Sequence, residues 1–381
     1  MRFGIPAYRL PRDVVEENIK RIADMGVEIV LNRKVEDIAA EKAEGGFDAV
    51  FLAIGAHLAN RAYIPSADAG RILDAVGVLH DMETEESKPM LGRRVVVYGG
   101  GNTAVDVART AKRMGAQEAI IVYRRTRDQM PAHDFEMDEA IEEGVIVNWL
   151  TTIKEVGDGG KVMVERMELD ADGKPQPTGE MDELEADTVV MALGQNVDTS
   201  FVEKLDGVEI KDKTIQVDTQ FMTGHPGVFA GGDMVPSERT VTVAVGHGKH
   251  AARAIHAWLQ GETYQRAEKH EVADFEKLNP WYYANAPATV QEQRDIARRQ
   301  ATFGEVLGGL DETNALYEAR RCLSCGNCFE CDNCYGVCPD NAVIKLGPGN
   351  RFKFDYDFCK GCGICVVECP CGAIEMVPEE I

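Results

Sequence analysis

All 11 cysteines of the 381-residue sequence lie between positions 322 and 371, at the spacing of metal ligands. Two runs share the pattern C-x2-C-x2-C-x3-C-P, in which three thiols lie close together and a fourth precedes proline. Three such thiolates can bind one [4Fe–4S] cluster, while the fourth binds the cluster of the other run. The thiols assigned to one cluster are Cys328, Cys331, Cys334 and Cys369. The thiols assigned to the other are Cys359, Cys362, Cys365 and Cys338.

Zinc and disulfides are the alternative uses of clustered thiols. Neither requires a Cys-Pro step in both halves of a repeated pattern, so the sequence favours two iron–sulfur clusters. Three thiols remain outside this assignment: Cys322, Cys325 and Cys371. A frame that begins at Cys322 lacks the x3-Cys-Pro ending, and we therefore expect these three to be spare thiols.

The charge balance excludes several classes of partner. The sequence has 41 Lys and Arg against 64 Asp and Glu, a net charge of −23, which disfavours nucleic acids and anionic membrane surfaces. We find no apolar run as long as a membrane span and no signal-peptide pattern at the start. Clustered thiols in a long chain indicate a reducing compartment, so we expect a cytoplasmic protein. The acidic surface suits either solubility alone or docking to a basic redox partner.

A nucleotide-binding signal begins at residues 93–98, where three consecutive valines are typical of a strand buried in a parallel sheet. A G-x-G-x-x-A loop follows, and residues 105–114 are expected to form a helix. The first glycine permits a tight turn, the second lets the backbone approach a pyrophosphate, and the alanine allows close helix–strand packing. Free N–H groups at the helix start would bind the phosphates. The candidate nucleotide contacts in the loop are Gly99, Gly101, Asn102, Thr103 and Ala104.

Two arginines indicate which nucleotide binds. A second strand, residues 119–123, ends in Arg124 and Arg125, about twenty residues past the loop. An acidic residue there binds a ribose 2′-hydroxyl, whereas guanidinium groups suit a 2′-phosphate. We therefore expect NADPH rather than NADH; a solvated arginine pair on a structural loop is the alternative. An acidic helix predicted at residues 134–143 is interpreted as a solvated face.

The segment before this signal lacks a phosphate loop of its own. Residues 12–25 have a helical apolar rhythm, residues 26–31 read as a short strand, and residues 48–54 read as a strand that ends in Gly55. After the nucleotide signal, residues 145–190 read as a meander with turns at 157–160 and 170–179. This meander ends in another strand, residues 188–193, followed by Gly194. Such paired strand–Gly endings are typical of a nucleotide domain inserted into a flavin domain.

A candidate flavin contact lies in residues 219–233, TQFMTGHPGVFAGGD. Gly232 and Asp233 end a strand just before a helix-like stretch at 240–259, where an Asp can accept hydrogen bonds from a ribityl chain. By spacing alone, Asp233 is equally a turn residue. The helix start at Thr240, Val241 and Thr242 would direct its dipole at an electron-rich ring.

The sequence predicts five segments in all. Residues 262–321 are polar and are interpreted as a helical linker that packs on the flavin domain. The segments are a first flavin-domain part at 1–87, a nucleotide domain at 88–194, a second flavin-domain part at 195–261, the linker at 262–321 and an iron–sulfur domain at 322–381.

Three motifs together resemble the NAD(P)H-oxidising small subunit of glutamate synthase and its relatives. They are the opening RFGIPAYRLP, the loop GGGNTA with YRR and MPA downstream, and the box VFAGGD. The cysteine region EARRCLSCGNCFECDNCYGVCPD is similar to that of the DsrL-type iron–sulfur flavoproteins of dissimilatory sulfur oxidation. The resemblance implies an α/β fold, with a partial FAD-binding domain and an inserted Rossmann-like NAD(P)H domain. It also implies a C-terminal α+β ferredoxin domain of bacterial type.

The resemblance further implies an NAD(P)H-dependent oxidoreductase with FAD, NADPH and two [4Fe–4S] clusters. Gly232 and Asp233 would contact FAD, and residues 240–242 would lie beside the flavin ring. The protein acceptor or donor would be dissimilatory sulfite reductase. The family's first flavin loop and N-terminal iron–sulfur domain are not in this sequence, so we expect the same or another chain to supply them. The alternatives are an electron-input subunit of a glutamate-synthase-like enzyme and an electron-transfer module without flavin.

Overall fold

The computed structural model describes residues 1–60, 64–65, 71–84, 88–267, 272–281 and 283–378. The chain forms two compact units. The first unit contains residues 1–264 and 293–308, and the second contains residues 265–292 and 309–381. Among the described residues, no helix combines the length and the apolar composition needed to cross a bilayer.

The helices, in chain order, are α1 (Arg12–Asp24), α2 (Ile38–Glu44), α3 (Ala75–Glu83), α4 (Asn102–Arg113), α5 (Asp134–Glu142), α6 (Val241–Leu259), α7 (Ile296–Ala301), α8 (Glu312–Arg320), α9 (Asn333–Val337) and α10 (Ile364–Val367). The strands are β1 (Val50–Leu52), β2 (Leu58–Ala59), β3 (Arg71–Asp74), β4 (Arg94–Tyr98), β5 (Glu118–Val122), β6 (Ile146–Asn148), β7 (Thr151–Val156), β8 (Lys161–Leu169), β9 (Pro175–Glu185), β10 (Thr188–Met191), β11 (Gln195–Asn196), β12 (Ile210–Lys211), β13 (Thr214–Ile215), β14 (Val228–Ala230), β15 (Val343–Lys345) and β16 (Phe352–Phe354).

The larger core of the first unit is built on a five-stranded parallel sheet in the order β3–β10–β4–β5–β6. Successive residues of β4 point to opposite faces, and each face is covered. Val95 and Val97 pack in the core that contains α4, while Val96 packs with the antiparallel meander β7–β8–β9. All three valines are fully buried, as the predicted strand requires. The loop that follows β4 therefore starts from a rigid strand end.

A second core in the first unit surrounds a two-stranded parallel sheet, in which Val50 of β1 aligns with Val228 of β14. Its buried side chains include Leu52, Ile215 and Met234. The chain leaves β14 through a short turn and then enters α6. The glycine–aspartate pair predicted to contact flavin lies in that turn.

The strand predicted at residues 26–31 is wrong. These residues adopt no regular secondary structure, and Val27, Ile29 and Leu31 are exposed. Apolar β-branched residues favour a strand only where a neighbouring strand accepts their backbone hydrogen bonds. Among the described residues, the sheet that contains β1 consists of β1 and β14, and residues 26–31 do not pair with it.

The region predicted as a linker divides between the two units. Residues 293–308, which we call the strap, belong to the first unit and include α7. The strap is fixed there by backbone hydrogen bonds, among them Val306 N–H to Tyr8 O at 3.0 Å. Residues 265–292 and 309–321 belong to the second unit, where α8 lies. Residues 268–271 and 282 of the predicted linker lie outside the described residues.

The second unit contains a structural repeat offset by 31 residues (328 to 359). Helix α9 follows Asp332 at φ +68°, and α10 follows Gly363 at φ +74°, which are equivalent positions. Strands β15 and β16 form an antiparallel pair between the two halves. The cysteine pattern therefore reflects two similar backbone folds, and each places its thiols around a short helix.

Candidate cofactor-binding sites

The second unit brings eight thiols together in two groups of four. One cavity, of about 150 Å³, is lined by Cys328, Cys331, Cys334 and Cys369. A second cavity is lined by Cys338, Cys359, Cys362 and Cys365. Each cavity thus receives three thiols from one run and the proline-linked thiol from the other, which is the exchanged arrangement that the sequence predicts. Four soft thiolates around one cavity suit the ligation of an iron–sulfur cluster.

The two thiols that directly precede a proline, Cys338 and Cys369, have equivalent surroundings. The N–H of Ala342 donates to Cys338 Sγ at 3.3 Å, and the N–H of Ala373 donates to Cys369 Sγ at 3.3 Å. Hydrogen bonds to ligand sulfur stabilise its negative charge and raise the reduction potential of a cluster. The repeat therefore places a hydrogen-bond donor that would stabilise a thiolate at both Cys338 and Cys369.

Burial makes one of the ligand thiols, Cys334, difficult to ionise without a cation. Burial raises the pKa of Cys334 to about 11, and the neighbouring Cys328 and Cys331 add to the rise. Iron bound in the cavity would supply the positive charge that holds such thiols deprotonated.

Among the described residues, no three His, Cys, Asp or Glu side chains form a group that would hold a single metal ion.

The three thiols predicted to be spare differ in position. Cys322 and Cys325 are exposed. Cys371 is buried, and its Sγ lies 3.7 Å from Cys369 Sγ at the wall of the first cavity. Sequence spacing alone did not reveal this proximity, because it depends on the turn after Pro370.

The nucleotide loop in the first unit has the backbone of a phosphate cradle. Gly99 adopts φ +148°, and a Cβ on it would lie 2.2 Å from the carbonyl oxygen of Ala192. Gly101 precedes the first residue of α4, and a Cβ built on it would meet nothing within 4 Å. Ala104 is fully buried against the sheet. The start of α4 is thus open to a phosphate, and its free N–H groups and dipole favour an anion.

Side chains around the loop define the rest of this site. Asn102 Oδ1 accepts the N–H of His133 at 3.0 Å, which ties the MPA segment to the cradle, and Thr103 is half-buried in the first turn of α4. Arg124 is exposed. Arg125 is half-buried, and its buried Nε has no hydrogen-bond partner within the described parts of the chain. A buried guanidinium N–H without such a partner, just after the strand β5 that pairs with β4, fits a ligand phosphate group.

The candidate flavin contacts lie at the end of β14. Gly232 adopts φ +66°, and its N–H donates to His247 Nδ1 at 3.2 Å, so this histidine holds the turn. Asp233 is half-buried. Thr240 caps α6 by accepting the N–H of Val243 at 3.2 Å.

The other predicted contacts around this turn also lie at chain turns and helix starts. Val241 and Thr242 are exposed in the first turn of α6. Gly194 adopts φ +97°, and its carbonyl oxygen accepts the N–H of Asn60 at 2.9 Å. This bond joins the strand pair β2–β11 at the point where the chain returns from the five-stranded sheet.

Sequence reasoning missed a buried charge cluster in the first unit, which consists of Arg109, Arg113, Glu143 and Arg299. All four side chains are at most 2% exposed. Glu143 accepts from Arg109 at 2.7 Å, from Arg113 at 2.6 Å and from Arg299 at 3.0 Å. Burial alone would raise the pKa of Glu143, but the hydrogen bonds from Arg113 and Arg109 lower it to about 2.

The opening motif completes this network. The ring of Tyr8 lies 3.8 Å from the guanidinium carbon of Arg113. Arg9 pairs with Asp106 at 2.8 Å and also with Glu136. Burial raises the pKa of Asp106 to about 6, although Arg9 opposes the rise. The i, i+4 spacing of the two arginines on α4 was the signal in the sequence that could have indicated a paired acidic helix.

The interpretation of residues 134–143 as a solvated acidic face is therefore wrong for one side of that helix. Glu136, Glu139 and Glu143 are buried. Burial of charge is stable only where partners compensate for lost hydration. Those partners come from α4, from the opening motif and from the strap, which no local pattern at 134–143 reveals.

Residues 7–248 match the family described as pyridine nucleotide-disulphide oxidoreductase, and residues 352–375 match the 4Fe-4S binding domain. The β subunit of NADP(+)-dependent formate dehydrogenase from Moorella thermoacetica is 38% identical to this chain, covering 84% of it and 48% of that protein. The β subunit of NADPH-Fe(3+) oxidoreductase from Geobacter sulfurreducens is 35% identical, covering 84% and 55%. The glutamate synthase [NADPH] small chain of Escherichia coli is 32% identical, covering 68% and 61%.

This chain thus spans about half to three-fifths of the length of these relatives. Among solved structures, FprA from Mycobacterium tuberculosis superposes with a TM-score of 0.54 at 20% identity, covering 70% of this chain and 77% of that one. At that identity the likeness concerns the fold alone.

These matches confirm the predicted fold class and the resemblance to the glutamate synthase small subunit. The matched family implies FAD and NAD(P)H as cofactors, and the matched domain implies 4Fe–4S clusters. The chain therefore belongs to the pyridine nucleotide-disulphide oxidoreductase family.

Proposed function

We propose that this chain is the part of an NADPH:acceptor oxidoreductase that binds NADPH, contributes to an FAD site and holds two [4Fe–4S] clusters. The observation that carries the proposal is the grouping of eight thiols around two cavities in a chain that also has a phosphate cradle. When bound, FAD exchanges a hydride with NADPH, and the clusters carry single electrons to or from a protein partner. Hydride exchange needs no side-chain acid or base, so the residues of this chain bind and orient.

The nucleotide residues divide into a phosphate cradle and a selectivity pair. The N–H groups at the start of α4 hold the pyrophosphate, with Gly101 allowing close approach and Asn102 fixing the adjacent loop. Arg124 and Arg125 bind the 2′-phosphate, since a guanidinium forms charge-assisted hydrogen bonds with phosphate oxygens. The buried Nε of Arg125, which has no partner among the described residues, supports this role.

Binding of 2′,5′-ADP tests this assignment without any other cofactor. Calorimetry should show that Arg125→Gln lowers the affinity for 2′,5′-ADP at least tenfold and leaves the affinity for 5′-AMP unchanged. The reason is that only the first ligand has a 2′-phosphate. Arg127→Gln is the matched control, since that arginine is paired with Asp138 at 2.5 Å. Equal binding of 2′,5′-ADP by the wild type and Arg125→Gln would remove the basis for NADPH selectivity.

We infer that the flavin residues of this chain form one half of a site that a further polypeptide segment completes. Gly232 and Asp233 would hold the ribityl chain, and the start of α6 at 240–242 would direct its dipole at the ring. Support comes from a cavity of about 710 Å³ along β1, lined by Val50 and Phe201 among others. The exposed apolar side chains of Val27, Ile29, Val30 and Leu31 are further support, because an added strand would cover them. The segment would come from the same gene product or from a partner subunit.

The proposed acceptor or donor is dissimilatory sulfite reductase, on the basis of the cysteine region EARRCLSCGNCFECDNCYGVCPD. A second candidate, the catalytic subunit of a formate dehydrogenase, is favoured by the 38% identical relative. To discriminate between the two candidates, the assembled protein is reduced with dithionite and mixed with each purified candidate under anaerobic conditions. Rapid reoxidation, followed at 420 nm, by the sulfite reductase alone would support the first proposal. Reoxidation only by the formate enzyme would replace it.

A further inference from the structure

A side chain from outside the cysteine runs holds the backbone of one cluster ligand. Asn279 lies in residues 272–281, which belong to the second unit. Its Nδ2 donates to the carbonyl of Cys369 at 2.9 Å and to that of Val366 at 3.2 Å. Its backbone N–H donates to the carbonyl of Pro370 at 3.2 Å. One residue thus binds three carbonyl groups around the Cys-Pro step that carries the exchanged thiol.

The packing beside Asn279 is equally close. Gly372 adopts φ +63°, and a Cβ on it would lie 2.7 Å from the carbonyl oxygen of Lys277 and 3.0 Å from Ala273 Cβ. Ala273 is itself buried. Residues 273–279 therefore lie directly against the turn that follows Cys369, and the contact does not rest on a single side chain.

The equivalent step in the first run differs in this respect. Within the repeat, the N–H of Asn341 donates to the carbonyl of Cys338 at 3.4 Å, and the N–H of Gly372 donates to that of Cys369 at 3.4 Å. This internal bond is the same in both halves. The bonds from Asn279 are an addition to the second half, and the part of the chain that the structure describes shows no counterpart to them at Cys338 and Pro339.

A second thiol beside Cys369 also distinguishes the second half of the repeat from the first. Cys371 also lines the first cavity, and its Sγ is 3.7 Å from that of Cys369. At the equivalent position of the first run stands Asp340, which pairs with Lys360 at 3.0 Å and offers no competing sulfur. A cluster in the first cavity therefore has two candidate fourth ligands two residues apart, whereas a cluster in the second cavity has one.

We propose that Asn279 is a positioning residue that fixes Cys369, rather than Cys371, as the fourth ligand of the cluster held by Cys328, Cys331 and Cys334. The inference rests on the proposed cluster assignment. By holding the carbonyl of Cys369 through its side-chain amide and that of Pro370 through its backbone N–H, Asn279 prevents the rotation that would exchange the two thiols. Hydrogen bonds from residues that touch the ligands, but not the metal, orient metal ligands in this way.

The test uses the full chain, purified and reconstituted under anaerobic conditions, with iron release to a chelator as the readout. Asn279→Asp keeps the size of the side chain but removes the donor, and Asn279→Ala removes the whole group. The matched control is Asn350→Ala, an exposed amide in a turn of the same unit. We expect the wild type and the control to release all iron in one slow phase. Both Asn279 variants should release half of the iron about tenfold faster and the other half at the wild-type rate.

A redox titration separates positioning from a general loss of stability. In Asn279→Ala, one of two reduction steps should shift while the other remains at the wild-type potential. The added change Cys371→Ala should remove the shifted species and increase the loss of iron. Faster release of all the iron, with both steps altered equally, would mean that Asn279 only stabilises the unit and would overturn the inference. Wild-type release in both Asn279 variants would overturn it too. A wild-type chain that takes up no iron would overturn the cluster assignment itself and this inference with it.

Discussion

Removal of Arg299 from the buried charge cluster should destabilise the first unit strongly. The side chain is 2% exposed and belongs to the strap, a segment remote in sequence from its partners. It donates to Glu143 at 3.0 Å, to Glu142 at 3.0 Å and to the carbonyl of Glu139 at 3.2 Å. Arg299→Ala would leave these acceptors without that donor and would remove three of the hydrogen bonds between the strap and the C-terminal end of α5.

The magnitude follows from what remains after the substitution. Removal of one partner from a buried ion pair costs about 3–5 kcal/mol when the other charge is left alone. Glu143 keeps the guanidinium groups of Arg109 and Arg113, so the lower end of that range applies, about 3 kcal/mol. For a unit of this size, each kcal/mol corresponds to roughly 2 °C in Tm. We therefore expect a decrease of about 6 °C in the Tm.

Differential scanning calorimetry of the full chain measures this decrease. The matched control is Arg298→Ala, the neighbouring residue of α7, whose side chain is 74% exposed and pairs with Asp295 at 3.4 Å. An exposed pair contributes about 0–1 kcal/mol, so the control should melt within about 2 °C of the wild type. If Arg299→Ala melts with the control, the buried charge cluster does not anchor the strap.

Further predictions concern acid stability, the nucleotide loop and the thiols. The pKa of Glu143 is lowered from 4.5 to about 2. Its contribution to the free energy of unfolding is therefore present above pH 4.5 and is lost as the pH falls towards 2. Urea unfolding at pH 5 and pH 3 should show this acid loss, about 3 kcal/mol when complete, reduced in Glu143→Gln. Gly99→Ala should lower both the Tm and 2′,5′-ADP affinity, since its Cβ would meet a backbone oxygen at 2.2 Å. Gly101→Ala should keep the wild-type Tm, because its Cβ meets nothing within 4 Å. The same substitution should lower the affinity for 2′,5′-ADP at least tenfold. A lower Tm would contradict this prediction. Iron analysis should find full iron in Cys325→Ser and about half in Cys328→Ser.

The parts of this protein that the sequence predicts well depend on local patterns. Three valines followed by a glycine loop predict β4, the turn and α4, because a buried strand and an open helix start each require residue types at fixed positions. The grouping of cysteines around two cavities follows from the repeated spacing in the same way. In both cases the chemistry constrains neighbours along the chain.

The parts that the sequence predicts poorly depend on distant partners. Residues 26–31 have the composition of a strand, but no described strand pairs with them. The acidic residues of α5 look solvated until Arg299, more than a hundred positions away, is placed beside Glu143. Asn279 has no motif, and its contact with Cys369 appears only once the turn after that thiol is folded.

We propose above that this chain holds two [4Fe–4S] clusters and that these receive electrons from NADPH through flavin. Anaerobic purification with iron, sulfide and flavin analysis, followed by NADPH titration in the presence of added FAD, tests it most directly. We expect about eight iron and eight sulfide atoms per chain, and an absorbance at 420 nm that NADPH bleaches more readily than NADH does. Four or fewer iron atoms, or zinc in their place, would contradict the assignment of the eight thiols. Full iron that NADPH cannot reduce with FAD and the completing segment present would contradict the proposed electron path.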